Sequence, residues 1–527
     1  MPARGAAELA SGGARLLSRP MFQRLTIAAA LAVCLVAAPA YASVPGPPPI
    51  TEAQLMGHIE MLASDAFEGR APGTEGERRT TSYIISELEK RGVRPAAPDG
   101  SWLQPVALVE RRPLSQRAAW RANGRRIAAD PAKIGLTARD ERHRIADAPV
   151  VFVGHGLVDR ARRIDQLAGA DLRGTVALLL VEAPVEGFPA YEERARIVAA
   201  AGAAAVIGIV SDDVPFDAVL RYARAGDTRL ASRSGPAIEG VMPASEAARL
   251  IALSGGSFAS VLDEQPGPAF RAVPLTLRAT LDARTSVRRF TSHNVVGRIA
   301  GMGNTPAAAG GVNESVLLLG HWDHLGICGN PGDADRICNG AVDNASGIAT
   351  LIEVAGRLAG HLPNPRDILI LATTAEEVGL LGAEHFAARP PVPLASIVAA
   401  VNFDTVAIHG AGQPVAVIGR GLAPLDAVIA ATAGELRREM DTTHAADAFV
   451  QRQDGWALSR AGVPAVMVGG SFADMAALQR FLGGDYHGAG DNVRADLPLA
   501  GAAEDANFAV LLARRLADPG RYSPSRP

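Results

Sequence analysis

The sequence predicts an α/β fold in which a mixed, largely parallel central sheet is flanked by helices and a smaller β-rich domain is inserted into the chain. From residue 287 onward, apolar runs of strand length alternate with helical stretches of about 10–15 residues, the pattern of parallel strands joined by crossover helices. Between residues 111 and 284 the pattern changes to short β-like runs with an alanine-rich helix. The 527 residues are 48% hydrophobic and 20% charged, which is typical of a globular protein with a large core.

The elements follow in chain order from the spacing of apolar residues. After a proline-rich linker at 43–49, residues 51–63 and 76–91 have the spacing of helices, and Gly92 is a stop signal for the second. Continuous apolar runs predict strands that are buried on both faces. The predicted strands are residues 149–153, 176–181, 204–210, 316–319, 368–371, 398–403 and 465–468. The remaining predicted helices are residues 192–201, 345–358 and 425–438.

The balance of charges gives no support to a nucleic-acid-binding function. The chain has 52 basic and 55 acidic residues, so its formal net charge is −3. Proteins that bind nucleic acids carry a basic patch or stripe, and no basic cluster dominates this sequence. We therefore expect no nucleic-acid partner.

The first 42 residues resemble a signal peptide for export. Met21 is a possible true start, and it is followed by a positive charge and an apolar run over residues 25–38. Residues 40–42 read Ala-Tyr-Ala, which is an A-x-A cleavage site. The apolar run is shorter than the roughly 20 residues that span a bilayer, and no later segment looks like a membrane span. We expect cleavage after Ala42, a periplasmic or secreted protein and no stable membrane span.

Export changes the interpretation of the cysteines. Cys34 leaves with the signal peptide, whereas Cys328 and Cys338 remain, close together in a loop rich in glycine, aspartate and proline. In an oxidising compartment such a pair favours a disulfide over free thiols, and closing the short loop would stabilise the fold by about 2–3 kcal/mol. Zinc ligation by the two thiolates is the alternative, but their spacing is not that of a CxxC motif.

Acidic residues and histidines stand where the predicted strands of the second half of the chain end. The first of these strands is followed by His321 and Asp323, the second by Glu376 and Glu377, and the third by Asp404. Ligands of open parallel sheets bind beyond the carboxyl ends of the strands, which meet at one edge. We therefore expect these side chains to converge there.

Two further segments complete the candidate site. Asp343 stands just before the predicted helix at 345–358, and Tyr486 and His487 lie in a glycine-rich loop. Histidine nitrogen and carboxylate oxygen, without thiolate, suit Zn²⁺ in a hydrolytic site. Two metal ions about 3.5–4 Å apart need one carboxylate that offers an oxygen to each. Asp343, a short acid at a helix entrance, has the right shape for that bridge.

The two adjacent glutamates cannot have the same function. Successive side chains of an extended chain point to opposite sides, so one of Glu376 and Glu377 can coordinate a metal while the other reaches a bound water as general base. Asp323 stands two residues after His321. It can accept the distal ring N–H of that histidine and so fix the tautomer of a metal ligand.

The ordered set of motifs closely resembles that of the M28 family of zinc aminopeptidases. The motifs are HWDHLG at 321–326, NGAVDNASG at 339–347, EEVGLLG at 376–382, NFD at 402–404 and YH at 486–487. Residues 62–74 and 462–465 also take part, so the resemblance covers most of the mature chain outside the insert. The insert, with FVGHG at 152–156 and AAGA at 200–203, resembles a protease-associated (PA) domain, a common insertion in that family.

The resemblance implies two Zn²⁺ per chain and peptide substrates with a free N-terminus. A metal-activated water would hydrolyse the N-terminal peptide bond, with Glu376 as general base and Tyr486 helping to stabilise the oxyanion. A cis peptide bond between Asp343 and Asn344 is also implied. The implied zinc ligands are His321 and Asp404 for one ion, Glu377 and His487 for the other, and Asp343 as the bridge.

The resemblance also divides the chain into parts. The signal peptide would occupy residues 1–42, the M28-like peptidase core residues 43–110 and 285–527, and the PA-like insert residues 111–284. One departure lies at residues 452–455, Arg-Gln-Asp-Gly, where relatives often carry Ser-Asp-His. No implied metal ligand is lost there, but the shape of the substrate pocket is affected.

Other functions remain open at this point. A glutaminyl cyclase or a carboxypeptidase can use the same scaffold, and a binding protein of this fold can have lost its metals. The PA-like insert could also be an independent binding module. Cyclases typically use one zinc, so metal stoichiometry discriminates between them and a two-zinc peptidase. A carboxypeptidase should present arginines to a substrate carboxylate, and an aminopeptidase should present acids to a free amine.

Overall fold

The computed structural model describes residues 48–160, 162–182, 189–258, 270–302, 313–360, 364–422 and 424–524. The predicted signal peptide over residues 1–42 lies outside the described residues. Within the described ranges, no helix combines the length and the apolar character that crossing a membrane requires.

Side-chain caps define where the first two helices begin. The Thr51 hydroxyl accepts a hydrogen bond from the backbone N–H of Gln54, whose side chain accepts one from the Thr51 N–H at 3.1 Å, forming a capping box. Thr74 caps the second helix in a similar way. The helices are α1 (Glu52–Leu62), α2 (Glu75–Lys90), α3 (Tyr191–Ala200), α4 (Phe216–Ala225), α5 (Ala244–Leu253), α6 (Ser346–Ala359), α7 (Leu381–Ala388), α8 (Asp426–Glu435), α9 (Gly455–Arg460), α10 (Met475–Gly483) and α11 (Leu499–Ala517).

The strands cover every apolar run that predicted one. Most of these runs are buried along their whole length, as expected for strands covered on both faces. The strands are β1 (Arg94–Pro95), β2 (Leu103–Ala122), β3 (Arg125–Ala128), β4 (Gly135–Ala138), β5 (Arg142–Phe152), β6 (Val158–Asp159), β7 (Ile164–Asp165), β8 (Val176–Leu180), β9 (Ala205–Val210), β10 (Asp227–Leu230), β11 (Ile238–Pro243), β12 (Val273–Ile299), β13 (Ser315–His321), β14 (Gly326–Ile327), β15 (Ile337–Cys338), β16 (Asp367–Thr373), β17 (Ile397–Asn402), β18 (Ala416–Ile418) and β19 (Ala465–Gly469).

Two parallel blocks of strands lie on either side of β12 in one mixed sheet. In the first block β19, β17, β13 and β16 are parallel neighbours, and in the second β5, β8, β9 and β11 are. Strand β12 is antiparallel to both β16 and β5. Among the described residues, 15 strands belong to this sheet. The predicted α/β class, with a largely parallel sheet flanked by helices, is confirmed.

The two longest strands, β2 and β12, were not predicted. They pair antiparallel from Leu103 opposite Val295 to Ala122 opposite Leu277. Buried and exposed residues alternate along much of their length, and the more exposed positions include many arginines. Neither strand therefore contains the continuous apolar run that marks the other strands.

Apolar side chains form separate cores in the two parts of the sheet. Helices α1, α6 and α11 pack against each other, and their apolar residues join those of β13 and β16 in the largest core. A second core consists only of residues between 118 and 283, with Trp120 and Phe152 almost completely buried. The boundaries of the insert at 111 and 284, and its PA-like nature, stay predictions.

Helix α6 starts in close contact with the exit of β17, and a glycine permits this approach. The backbone N–H of Gly347 donates to Asn344 Oδ1 at 2.9 Å. A Cβ at this position would collide with Asn344 Oδ1 and with the backbone oxygen of Phe403. Because Phe403 O is a backbone atom and Asn344 Oδ1 is held by two backbone N–H groups, the contact cannot relax without moving the turn before α6.

Gly347→Ala should therefore destabilise the protein by about 1–3 kcal/mol, the usual cost of overpacking a tight site. Denaturant unfolding of the purified protein measures this loss. Gly57→Ala is the matched control, because Gly57 is an exposed residue of α1 with no atom within 4 Å of the added Cβ. This control should gain up to about 1 kcal/mol from the better helix propensity of alanine. Equal stability of the two variants would contradict the close approach.

Candidate metal centre

The parallel arrangement of three strands brings the predicted site residues to one edge of the sheet. His321 is the last residue of β13, which lies between β16 and β17 in parallel register. Glu376 follows the end of β16, and Asp404 follows the end of β17. Asp343 and Tyr486 line the same cavity as these three residues.

One cluster is formed by His321, Asp343 and Asp404, all of them buried. The Nε2 atom of His321 lies 3.3 Å from Asp343 Oδ1 and 3.5 Å from Asp404 Oδ1. One nitrogen and two carboxylate oxygens therefore point to the same small volume, which is a donor set that suits Zn²⁺.

A second cluster lies on the other side of Asp343. The Nε2 atom of His487 lies 3.4 Å from Asp343 Oδ2 and 2.8 Å from Glu377 Oε2. Asp343 therefore presents one carboxylate oxygen to each cluster. This is the arrangement that a carboxylate bridging two metal ions requires.

His324 belongs to the second cluster, although it was not predicted as a site residue. Its Nδ1 lies 2.5 Å from Glu377 Oε1, and its Nε2 is buried with no hydrogen-bond partner among the residues that the structure describes. Together with Asp343 and Glu377 it forms a group that could hold a metal ion. The signal was present in the sequence, since His324 stands in the same HWDHLG motif as His321.

The turn before α6 fixes the position of Asp343. The peptide bond between Asp343 and Asn344 is cis, as the family resemblance implied. The Asn344 side-chain N–H group donates to the backbone oxygens of Phe403 at 3.0 Å and His321 at 3.3 Å. Its Oδ1 accepts from the backbone N–H of Gly347 at 2.9 Å and of Thr405 at 3.3 Å. One side chain therefore joins the end of β13, the exit of β17 and the start of α6.

Asp491 holds the same turn from the other side. Its carboxylate accepts hydrogen bonds from the backbone N–H groups of Val342 at 2.8 Å and Asp343 at 2.9 Å. Burial raises the pKa of Asp491 to about 6, although these two bonds act in the opposite direction. No motif marks this residue in a single sequence, because its partners are backbone atoms.

Arg70 is completely buried beneath the metal-site loops. Its guanidinium group donates to four backbone carbonyls, those of Leu62 at 2.8 Å, Trp322 at 2.9 Å, Asn339 at 2.5 Å and Gly340 at 2.9 Å. Burial lowers its pKa to about 10, while nearby carboxylates of the site favour the charged form. The residue therefore connects the segment after α1 with the loops that carry the site, which the sequence does not reveal.

Asp323 contacts the site differently from the prediction. The ring Nδ1 of His321 lies 3.2 Å from the backbone oxygen of Asp323 but 3.8 Å from its carboxylate, beyond hydrogen-bond reach. The carboxylate is engaged instead by the backbone N–H groups of Glu376 at 3.1 Å and Glu377 at 3.4 Å. Burial raises the pKa of Asp323 to about 7. Asp323 thus positions both glutamates as well as the histidine.

The two adjacent glutamates have opposite electrostatic environments. Burial raises the pKa of Glu376 well above its usual range, and the neighbouring carboxylates Asp404 and Asp454 raise it further against the opposing effect of His321. Burial also opposes ionisation of Glu377, but hydrogen bonds with His324 and His487 lower the pKa of this residue overall. Neighbouring acids whose pKa values are pushed apart are typical of an acid–base group next to an anionic ligand.

Two cavities meet at the site. The inner cavity, of about 40 Å³, adjoins His321 and Asp404, and Arg452 lies at its wall. Its apolar walls come from Phe449, Met467, Phe472, Leu478 and Leu482. The outer cleft, of about 560 Å³, runs from Glu376, Glu377 and His487 to residues of α3, α4 and β10. Tyr486 lines both cavities and stacks on the ring of His487 with centroids 3.7 Å apart.

The segment that departs from the resembling family supports the strand ends from behind. Gln453 Oε1 accepts from Asn402 Nδ2 at 3.0 Å, and Asp454 accepts a hydrogen bond from the Thr373 hydroxyl. Burial raises the pKa of Asp454 to about 6. Arg452 is exposed and lines both the inner cavity and the outer cleft. The departure therefore places a cation beside the site.

The predicted disulfide between Cys328 and Cys338 is confirmed, with their Cα atoms 5.8 Å apart. It closes the loop between β14 and β15. Cys338 directly precedes Asn339 and Gly340, whose backbone oxygens accept hydrogen bonds from Arg70. The disulfide therefore constrains the loop that leads to Asp343.

Arg70→Met should destabilise the protein by at least about 3 kcal/mol, because several buried carbonyls would lose their donor at about 1–3 kcal/mol each. Denaturant unfolding followed by circular dichroism measures the change. Arg78→Met is the matched control, since Arg78 is an exposed residue of α2 that pairs with Glu75. Its loss should stay within about 1 kcal/mol. Similar losses in the two variants would contradict the structural role of Arg70.

Comparisons with known proteins agree on a family. The sequence model of peptidase family M28 matches residues 294–511. A probable zinc metalloprotease of Pyrenophora tritici-repentis is 37% identical over 90 residues, 17% of this chain and 20% of that protein. One of Pyrenophora teres f. teres is 37% identical over 17% of this chain and 19% of that protein. The match thus spans about a fifth of the length of these curated relatives.

A solved structure extends the likeness in fold over most of the chain. The aminopeptidase from Aneurinibacillus sp. strain AM-1 superimposes with a TM-score of 0.51 at 17% identity, covering 90% of this chain and 96% of that one. The segment that matches the family contains the predicted zinc ligands His321, Asp343, Glu377, Asp404 and His487. Residues 294–511 of this chain therefore match peptidase family M28, and a stretch of 90 residues is similar to probable zinc metalloproteases.

Proposed function

We propose that this chain is a di-zinc aminopeptidase that hydrolyses the N-terminal peptide bond of its substrates. The observation that carries this proposal is the position of Asp343. Its Oδ1 lies 3.3 Å from His321 Nε2 and its Oδ2 lies 3.4 Å from His487 Nε2. A carboxylate that presents one oxygen to each of two donor clusters fits a site with two metal ions, and a site for a single ion does not require this arrangement.

The donor set fits zinc. The first ion would be held by His321 and Asp404, the second by Glu377 and His487, and both by Asp343. These are imidazole nitrogens and carboxylate oxygens, which suit zinc in hydrolytic sites. The close approach of so many acids and histidines would be costly without a cation between them, since buried charges require compensation.

The side chains of the site have separate tasks in peptide hydrolysis. When bound, the zinc ions supply Lewis-acid activation of water and of the scissile carbonyl. Glu376 takes a proton from the attacking water and delivers it to the leaving amine, a task that its raised pKa favours. Tyr486 faces the same cavity and donates a hydrogen bond to the oxyanion that develops from the carbonyl. Asp323 keeps Glu376 in place through its backbone N–H.

The shape of the two cavities supports cleavage at a chain end. The inner cavity is small and apolar on one side, so it fits a single side chain next to the metal ligands. The outer cleft is about 560 Å³ and takes the rest of the peptide. The structural neighbour from Aneurinibacillus is an aminopeptidase by its title, which favours the N-terminal end. A glutaminyl cyclase remains a less supported alternative, since the divided carboxylate favours two metal ions.

We also propose that the protein acts in the periplasm or outside the cell. The supporting observations are the signal-like sequence of residues 1–42, with its Ala-Tyr-Ala site, and the disulfide between Cys328 and Cys338. Disulfides persist in oxidising compartments and are rare in reducing ones.

Glu376→Gln should lower turnover of aminoacyl chromogenic substrates by about 10²–10⁴-fold, because the variant cannot take up the proton of the attacking water. It should keep two zinc ions per chain, which elemental analysis measures. Glu60→Gln, an exposed change in α1, is the control and should change neither quantity. A Glu376→Gln variant that stays active, or that loses zinc, would show that this residue is not the base.

Asp343→Asn should reduce the zinc content from two ions per chain to at most one, because an amide offers a single oxygen and no charge to share. Elemental analysis after dialysis against zinc-free buffer measures the stoichiometry, and thermal unfolding shows whether the variant is folded. Asp99→Asn, in an exposed loop, is the matched control. Two retained zinc ions in Asp343→Asn, or a single zinc in the wild type, would contradict the bridging role.

A further inference from the structure

The outer cleft contains an unusual number of arginines. Three of them form ion pairs: Arg233 with Glu384, Arg460 with Glu193 at 2.8 Å, and Arg229 with Asp227 at 2.7 Å. The five arginines that line the cleft are Arg196, Arg229, Arg233, Arg452 and Arg460. Within the part of the chain that the structure describes, Arg196 and Arg452 make no ion pair. These two arginines share the cleft with acidic residues, but no carboxylate of the described residues lies within ion-pair distance of either one.

Arg196 also has an unsatisfied hydrogen-bonding group. It lies on α3, which contributes to the wall of the same cleft as Glu376 and Glu377. Its Nε is buried, and among the described residues it has no hydrogen-bond partner. A buried N–H group without a partner costs about 1–3 kcal/mol.

Arg452 stands where the two cavities join. It lines the inner cavity together with His321 and Asp404, and it lines the outer cleft together with Glu376. Its guanidinium carbon lies 5.7 Å from the centre of the Phe449 ring, an arrangement that holds the cation over an aromatic face. Its charge is also close enough to Tyr486 to oppose the rise in the pKa of that phenol that burial causes.

We propose that Arg452 and Arg196 bind a carboxylate of the substrate on the leaving-group side of the scissile bond. This inference rests on the proposed peptidase function. A residue of extended chain spans about 3.3–3.6 Å, so a carboxylate in the first or second residue after the scissile bond stays within the cleft. The guanidinium fork matches a carboxylate in two parallel hydrogen bonds.

Two kinds of substrate supply such a carboxylate. One is the free C-terminus of a dipeptide or tripeptide, and the other is an acidic side chain in the residue after the scissile bond. Both sources place a carboxylate against the arginines. Substrates in which either the C-terminal or the side-chain carboxylate is replaced by an amide distinguish between the two sources. The protein would thus prefer short or acidic peptides over neutral, blocked ones.

The test compares kcat/KM for Leu-Ala with Leu-Ala-amide, and for Leu-Asp-amide with Leu-Asn-amide, on the zinc-loaded mature protein. The wild type should prefer the carboxylate form of at least one pair by roughly tenfold or more, the size of one charge-assisted hydrogen bond. Arg452→Gln should abolish this preference, chiefly by raising KM for the carboxylate forms to the value for the amide forms. Arg452→Lys should restore part of it, and 0.5 M salt should weaken it.

Arg480→Gln is the matched control, because Arg480 is exposed and lines neither cavity of the site. Its carboxylate preference should equal that of the wild type. Calorimetric binding of the same peptides to Glu376→Gln gives a readout that does not depend on turnover. Glu376→Gln should bind the carboxylate forms more tightly than the amide forms, and the double variant that also carries Arg452→Gln should not. This result would support the inference even if no peptide is cleaved.

The failures of the two proposals are distinguishable. Equal cleavage and equal binding of acid and amide forms would overturn the carboxylate inference and leave the aminopeptidase proposal intact. Cleavage of N-acetyl-Leu-Ala at the rate of Leu-Ala would overturn the aminopeptidase proposal, and an Arg452-dependent loss of that activity would support the carboxylate inference for a carboxypeptidase.

Discussion

The hydrogen bonds of a single buried amide hold the metal centre together. Asn344 donates to the ends of two strands and accepts from the start of α6 and from Thr405. These four bonds fix Asp343, the preceding residue, at the place where two donor clusters meet. Glycine is required at position 347, because a Cβ there would collide with the Asn344 side-chain amide and with the backbone carbonyl of Phe403. Every distance within the site depends on this turn, which Asp491 and Arg70 support from outside.

The fold could be predicted where strands are buried on both faces, since a run such as residues 316–319 has no other common explanation. Strands β2 and β12 could not be predicted in this way, because their one-sided burial produces an alternating, arginine-rich pattern.

At the site, the side chains that follow strands were predictable. Arg70 and Asp491 were not, because they bind backbone groups and a single sequence contains no trace of such partners. The carboxylate of Asp323 accepts hydrogen bonds from the backbone N–H groups of Glu376 and Glu377 and not from the ring of His321. The sequence does not distinguish these partners, because they depend on how the strand ends are placed in space.

The site also shows how position, and not residue type, decides the chemistry of a carboxyl group. Glu376 and Glu377 are chemically identical neighbours, but histidines contact Glu377, whereas other carboxylates lie close to the buried Glu376. The environment of Glu377 therefore stabilises the ionised form, and that of Glu376 stabilises the protonated form. The same principle applies to the arginines of the cleft, where ion pairs hold Arg229, Arg233 and Arg460 but, among the described residues, not Arg196 or Arg452.

The chain leaves the core along β2 and returns along β12, and there the two strands are hydrogen-bonded neighbours, with Leu103 opposite Val295. The intervening segment therefore begins and ends at points about 4.5–5.5 Å apart. Bringing distant parts of a chain together costs entropy that grows with the length of the loop. If the segment folds first, its adjoining ends remove that cost and deliver β12 directly to the edge of β16. A segment that folded first would thus act as a template for the core sheet, and the same segment forms a wall of the cleft.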